Sequence, residues 1–191
     1  MDNEKLKPIL EALLSATDKP LAVNFMYDLF SGDIDQPSKD DIRRAIHELV
    51  EKYEGAGLEL KQVASGFRFQ VRPAYETWVA RLWDQKPPRY SRALLETVAL
   101  IAYRQPITRG EIEDIRGVSV STNIIKTLQE REWVKPLGHK DVPGKPALYG
   151  TTKEFLDYFN LKSLNELPTL SEIKDLNQSH PELAFAEKSP N

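Results

Sequence analysis

The chain has 191 residues, 40% hydrophobic and 29% charged, and a net charge of −3, the make-up of a soluble globular protein with one large or two small domains. It contains no cysteine, which excludes disulfides, thiolate nucleophiles and cysteine-ligated zinc. No stretch approaches the roughly 18 apolar residues needed to cross a bilayer, and the N-terminus lacks a basic leader ahead of an apolar run, so a cytoplasmic protein is expected.

The first periodic segment, residues 6–14, places Leu6, Ile9, Leu10, Leu13 and Leu14 at helical spacing. Pro20 closes the connection, and residues 23–30 predict a short second helix ended by Ser31-Gly32. A third helix starts at Ser38, with Asp41 three residues on as a weaker form of the capping box. Its stripe is Ile42, Ala45, Ile46, Leu49, Val50 and Tyr53, and Gly55 and Gly57 stop it. The period then changes from helical to alternating. Leu58, Leu60 and Val63, then Phe67, Phe69 and Val71, flank Ser65-Gly66 and predict a β-hairpin. A last helix over 75–83 carries Trp78, Val79 and Leu82 on one side.

After Pro87-Pro88 the same order begins again. Leu95, Val98, Ala99 and Ala102 form the stripe of a long helix, and Pro106 closes its connection as Pro20 does. Thr108 and Glu111 form a capping box for a short helix holding Ile112 and Ile115, which Gly117 ends. A helix over 121–132 presents Ile124, Ile125 and Leu128. Extended runs over 133–137 and 147–151 enclose a proline-stiffened loop, 139–146, and a closing helix over 153–159 carries Phe155, Leu156 and Phe159.

Three helices followed by a hairpin is the order of a winged helix, the hairpin being the wing, and finding the order twice strengthens the assignment. The expected fold class is therefore mainly α with small β-hairpins (α+β), as tandem winged-helix domains. Residues 1–85 form the first, 86–91 a stiff linker and 92–168 the second, followed by a flexible tail over 169–191.

Catalytic chemistry finds little support. There is no phosphate-binding GxxxxGK[ST], no GxGxxG and no HExxH, and His47, His139 and His180 lack metal-ligand spacing. The cluster Glu111, Glu113 and Asp114 suits the start of a helix, where carboxylates favour the dipole. No catalytic residue, cofactor or metal is assigned, and a cryptic hydrolase lacks a convergent site. DNA binding is the stronger alternative, since winged helices often place their third helix in the major groove. Ser121, Thr122, Asn123, Lys126 and Gln129 could meet bases or phosphates, and Lys140 and Lys145 the backbone. Yet residues 86–168 carry 13 Lys+Arg against 10 Asp+Glu, short of a dense basic surface. Direct DNA contact, and with it a transcription regulator, is the runner-up reading.

Two long stretches carry a resemblance. One is LETVALIAYRQPITRGEI (95–112) with IRGV (115–118); the other is GHKDVPGKPALYGTT (138–152), followed by Phe155-Leu156 and LKSL (161–164). Both resemble the bacterial segregation and condensation protein B (ScpB) family, over roughly residues 5–168. Helix three of the second domain departs from the family's pattern, with Ser119-Val120-Ser121-Thr122-Asn123 in place of an Asn-Ser-Asp-Gly-like cluster. The resemblance implies two winged-helix domains, a homodimer formed through the first, and an accessory role in the SMC condensin complex. Its partner would be the kleisin ScpA and, through it, SMC, in a nucleoid-associated, non-membrane setting. Candidate partner-binding residues on the wing and third helix of the second domain are Lys126, Lys140, Asp141, Pro143, Lys145 and Tyr149.

Overall fold

A computed structural model of the chain describes residues 2–82 and 90–169. Three helices open it: α1 (Asn3–Ser15), α2 (Val23–Leu29) and α3 (Lys39–Lys52). An antiparallel hairpin of β1 (Leu58–Val63) and β2 (Gly66–Val71) follows. Leu6, Leu10 and Leu14 of α1, at i, i+4 and i+8, meet Ile42, Ala45, Ile46 and Leu49 of α3 in one buried core with Met26, Phe30 and Leu60. Ile9 falls on the exposed flank of α1. The Ser38 box is fully reciprocal. Its hydroxyl accepts from the Asp41 N–H at 3.1 Å, and the Asp41 carboxylate accepts from the Ser38 N–H at 3.0 Å, so aspartate closes the box as glutamate would.

The hairpin turn is Ala64-Ser65, one residue earlier than Ser65-Gly66, because Gly66 pairs with Val63. Beyond β2 the expected helix over 75–83 is broken. A 3₁₀ turn at Pro73–Tyr75, a single helical turn α4 (Glu76–Val79) and another 3₁₀ turn at Ala80–Leu82 replace it. Trp78 and Leu82 are exposed, so no apolar face is buried to hold a regular helix. Trp83, Pro87-Pro88 and most of the expected linker lie outside the described residues, as does the expected flexible tail apart from Thr169.

The second half repeats the order: α5 (Arg92–Arg104), a two-residue strand β3 (Ile107–Thr108), α6 (Arg109–Arg116), α7 (Thr122–Glu130), then β4 (Val134–His139) and β5 (Ala147–Thr151). A short α8 (Lys153–Tyr158) closes it. Leu94, Val98, Ile101, Ile112, Val120, Ile125, Leu128, Trp133, Val134 and Phe155 build a second core. The α5 stripe is rotated from the expected one: Leu94, Thr97, Val98, Ile101 and Ala102 face inward, while Leu95 and Ala99 face out. Seven of the nine residues 94–102 are apolar, so spacing alone leaves the phase of this helix open. Thr97 is tolerated inside because its hydroxyl donates to the Ala93 carbonyl at 2.7 Å. Tyr90 and Ser91, expected in the linker, belong structurally to this half. The Tyr90 ring stands 5.2 Å from that of Trp133, beneath the Arg131 guanidinium, and Ser91 caps α5.

Both halves also share an unpredicted pairing. The residue after each connecting proline bonds the second hairpin strand: Leu21 pairs with Phe67, and Ile107 with Tyr149. The halves meet where the first hairpin's tip reaches the end of α8. Ala64 N–H donates to the Leu161 carbonyl and Ser65 N–H to Asp157 Oδ1, both at 2.9 Å. Arg68 donates to the Asp157 carbonyl and to Asn160 Oδ1. This guanidinium sits where the last carbonyls of a helix attract a cation.

Candidate partner-binding face of the C-terminal half

The second hairpin is anchored from α6. Thr108 caps that helix, and the Glu111 carboxylate answers by accepting from the Thr108 N–H and hydroxyl, both at 2.8 Å. The other Glu111 oxygen takes the Lys140 ammonium at 2.6 Å. That ammonium first, with the two Thr108 donors behind it, holds the Glu111 carboxyl down at about 2. Glu113, two residues on, accepts from the Val120 N–H at 2.8 Å and from Arg109 at 3.0 Å, and both lower its pKa. Arg109 in turn donates to Thr122 on α7. The acidic cluster of α6 therefore acts as a hub, joining hairpin, connecting loop and α7.

The loop beyond β4 is itself tied down. Lys140 N–H donates to the Pro146 carbonyl, Val142 N–H to that of Lys140 and Lys145 N–H to that of Val142, each at 2.9 Å. Gly144 and Lys145 take positive φ to close the turn. Lys140, Asp141, Pro143 and Lys145 thus stand together, exposed, on one ordered loop. Lys126 lies elsewhere, on α7, where it pairs with Glu130 at 3.6 Å. Tyr149, on β5, is half-buried against the second core.

Two residues passed over in the sequence stand out on this face. Leu137 and Val142 are exposed by 51% and 40%, apolar side chains flanking the polar loop. The register of β4 shifts between Pro136 and Gly138, leaving Leu137 as the extra, outward-turned residue. Gly138 beside Pro136 is the sequence signal for such a bulge. Among the described residues no group of His, Cys, Asp and Glu could hold a metal ion, and no helix is long and apolar enough to cross a membrane.

The profile of the family described as "Segregation and condensation complex subunit ScpB" matches residues 8–170. The chain belongs to the ScpB family. A segregation and condensation protein B homolog of Coxiella burnetii is 57% identical over 171 residues, covering 89% of this chain and 81% of that one. The segregation and condensation protein B of Syntrophotalea carbinolica is 41% identical over 187 residues, covering 97% and 92%. The crystal structure of ScpB from Mycobacterium tuberculosis is similar at 29% identity and a TM-score of 0.37, covering 84% of this chain and 98% of that one. The two stretches that carried the resemblance to ScpB fall on α5–β3–α6 and on the β4–β5 hairpin, the elements that the Glu111–Lys140 pair joins.

The pair has a titration signature. Because the folded-state pKa of Glu111 lies below its ordinary value of 4.5, its contribution is complete above about 4.5 and is lost as pH falls toward 2. Carboxyl carbon-13 NMR should place the Glu111 midpoint near 2, and Lys140→Ala should move it up toward 4.5. A midpoint at 4 or above in the unaltered chain would show that the hairpin is not held this way.

Proposed function

We propose that this chain is the accessory subunit of a bacterial SMC condensin-like complex, supporting chromosome condensation and partition in the cytoplasm. In this reading both halves are winged-helix domains. The first, within residues 1–85, forms a homodimer, and the second, within 92–168, binds the kleisin ScpA and through it SMC. ATP hydrolysis then belongs to the partner, in keeping with a chain that carries no phosphate-binding loop motif.

The observation that carries the protein-binding reading is the apolar surface beside the loop, where Leu137 and Val142 are exposed. Of the three candidate lysines, Lys140 is paired with Glu111 and Lys126, on α7, with Glu130, which leaves Lys145 as the outward cation of the loop. Phosphate recognition is favoured by several cations turned outward; an exposed apolar pair beside largely paired charges favours an apolar kleisin segment. A loop already closed by its own hydrogen bonds also loses little entropy when a partner covers it. Isothermal titration of the ScpA middle segment into the full chain should give a stoichiometric heat, and the double variant Leu137→Asp/Val142→Asp should weaken binding at least about tenfold, roughly 1.4 kcal/mol. A folded chain that gives no heat with ScpA, yet binds a specific duplex at physiological salt, would move the assignment to a DNA-binding regulator.

A further inference from the structure

The two hairpins share a plan but differ at their outer edges. In each, the second strand is paired on both sides: β2 with β1 and Leu21, β5 with β4 and β3. Among the described residues, strands β1 and β4 therefore each keep one unpaired edge. The parity of the ladder tells which backbone groups face it. Arg72 N–H donates to the Gly57 carbonyl, and both backbone groups of Phe67 turn away from β1 toward Leu21. The odd-numbered residues of β1 accordingly bond β2, so Leu58, Leu60 and Gln62 present N–H and C=O outward.

The same reasoning applied to β4 starts from the Thr152 N–H bond to the Trp133 carbonyl and places Val134 and Pro136 on the outer edge. Pro136 has no N–H to offer, and the bulge at Leu137 interrupts the run. Both features block the addition of another strand. β1 has neither, being six residues in unbroken register without proline. Its outer face also sets two like charges in register. Lys61 stands directly across from Arg68, and Arg68 is engaged by a carbonyl and an amide rather than by a carboxylate.

We propose that the outer edge of β1 is the seam of the homodimer, a second copy adding its own β1 antiparallel about a two-fold axis at Leu60. The proposal rests on the homodimer reading above and gives it a surface. In this register Leu58, Leu60 and Gln62 exchange about six main-chain hydrogen bonds with the second copy. Glu59 then faces the partner's Lys61, and the partner's Glu59 faces Lys61. A two-fold seam must be self-complementary in this way, and Glu59, which also accepts from Gln70 and Arg72 of its own hairpin, brings a carboxylate beside the like-charged Lys61 and Arg68. Leu58, 43% exposed, and the exposed Gln62 become covered.

The cysteine-free sequence makes the test direct. In the full chain carrying Leu58→Cys and Gln62→Cys, the two thiols of one copy lie on the order of 13 Å apart along the strand, too far to bridge. Across the seam each faces the other's counterpart. Mild oxidation should turn most of the double variant into a covalent dimer and leave either single variant unlinked. By sedimentation equilibrium, Lys61→Glu should weaken the dimer at least about tenfold, and Glu59→Lys/Lys61→Glu should restore it. A dimer that neither cross-links nor responds to Lys61→Glu overturns the seam and leaves the homodimer reading standing. Conversion to monomer by Ile9→Lys alone, on the α1 face with Pro8, Ala12 and Leu13, does the same. An unaltered chain that remains monomeric at about 100 μM overturns both.

Discussion

Gly66→Ala is expected to unfold the first hairpin from its helices. A Cβ at this position would stand 2.2 Å from the Leu21 carbonyl oxygen, 2.3 Å from its carbon and 2.6 Å from the Ala22 nitrogen. All three are backbone atoms, so no rotamer change relieves the clash, and the φ of +146° is itself one that L side chains rarely adopt. The chain can respond only by parting Leu21 from Phe67. That breaks the reciprocal pair Leu21 N–H to Phe67 O, at 2.8 Å, and Phe67 N–H to Leu21 O, at 2.9 Å. Two lost hydrogen bonds at about 1 kcal/mol each, with backbone strain of about 1–3 kcal/mol, give a loss of roughly 3–5 kcal/mol. For a unit of this size that lowers the melting temperature by on the order of 15 °C or more. Gly110→Ala is the control. With nothing within 4 Å of the new Cβ, it should change stability by less than about 1 kcal/mol. Thermal melts of both variants decide it, and equal stability would show that Gly66 is replaceable.

Gly66 also marks the limit of what the sequence discloses. As a glycine beside a hairpin turn it suggests a turn residue, yet its role is close approach to a segment some 45 positions earlier, which local pattern does not encode. Legibility follows the range of the interaction. The capping boxes at Ser38 and Thr108 span three residues, and both are readable as motifs. The order of helices and strands is equally local. The phase of α5 is not, since an almost continuously apolar helix is oriented by what packs on it. The third strand of the second sheet is two residues long and exists through its partners. At the candidate site, Lys140 reads as an exposed cation within its loop, and only the fold brings Glu111 against it, 29 positions away. Tyr149 beside a polar loop reads as a surface tyrosine, and its half-burial against the second core depends on residues distant in the chain.

The remaining large effect concerns whether the halves stand or fall together. Leu10→Ala should cost about 2–5 kcal/mol, because Leu10 has no exposed surface and projects from α1 into the core shared with α3. Ile101→Ala, equally buried on α5, should cost about the same in the second core. Between the cores, the hairpin tip contributes the Ala64, Ser65 and Arg68 hydrogen bonds to the end of α8, each worth about 1 kcal/mol or less net where water competes. Such a contact is weaker than either core, so damage to one should reach the other only in part. Native-state hydrogen exchange is the measurement. Leu10→Ala should lower protection in α1 and α3 by the full loss and in α5 and β5 by at most about 1–2 kcal/mol, with Ile101→Ala giving the mirror result. If either variant lowers protection equally throughout, the tip contact couples the halves into one cooperative unit. The first hairpin would then be as much a part of the second core's stability as of its own.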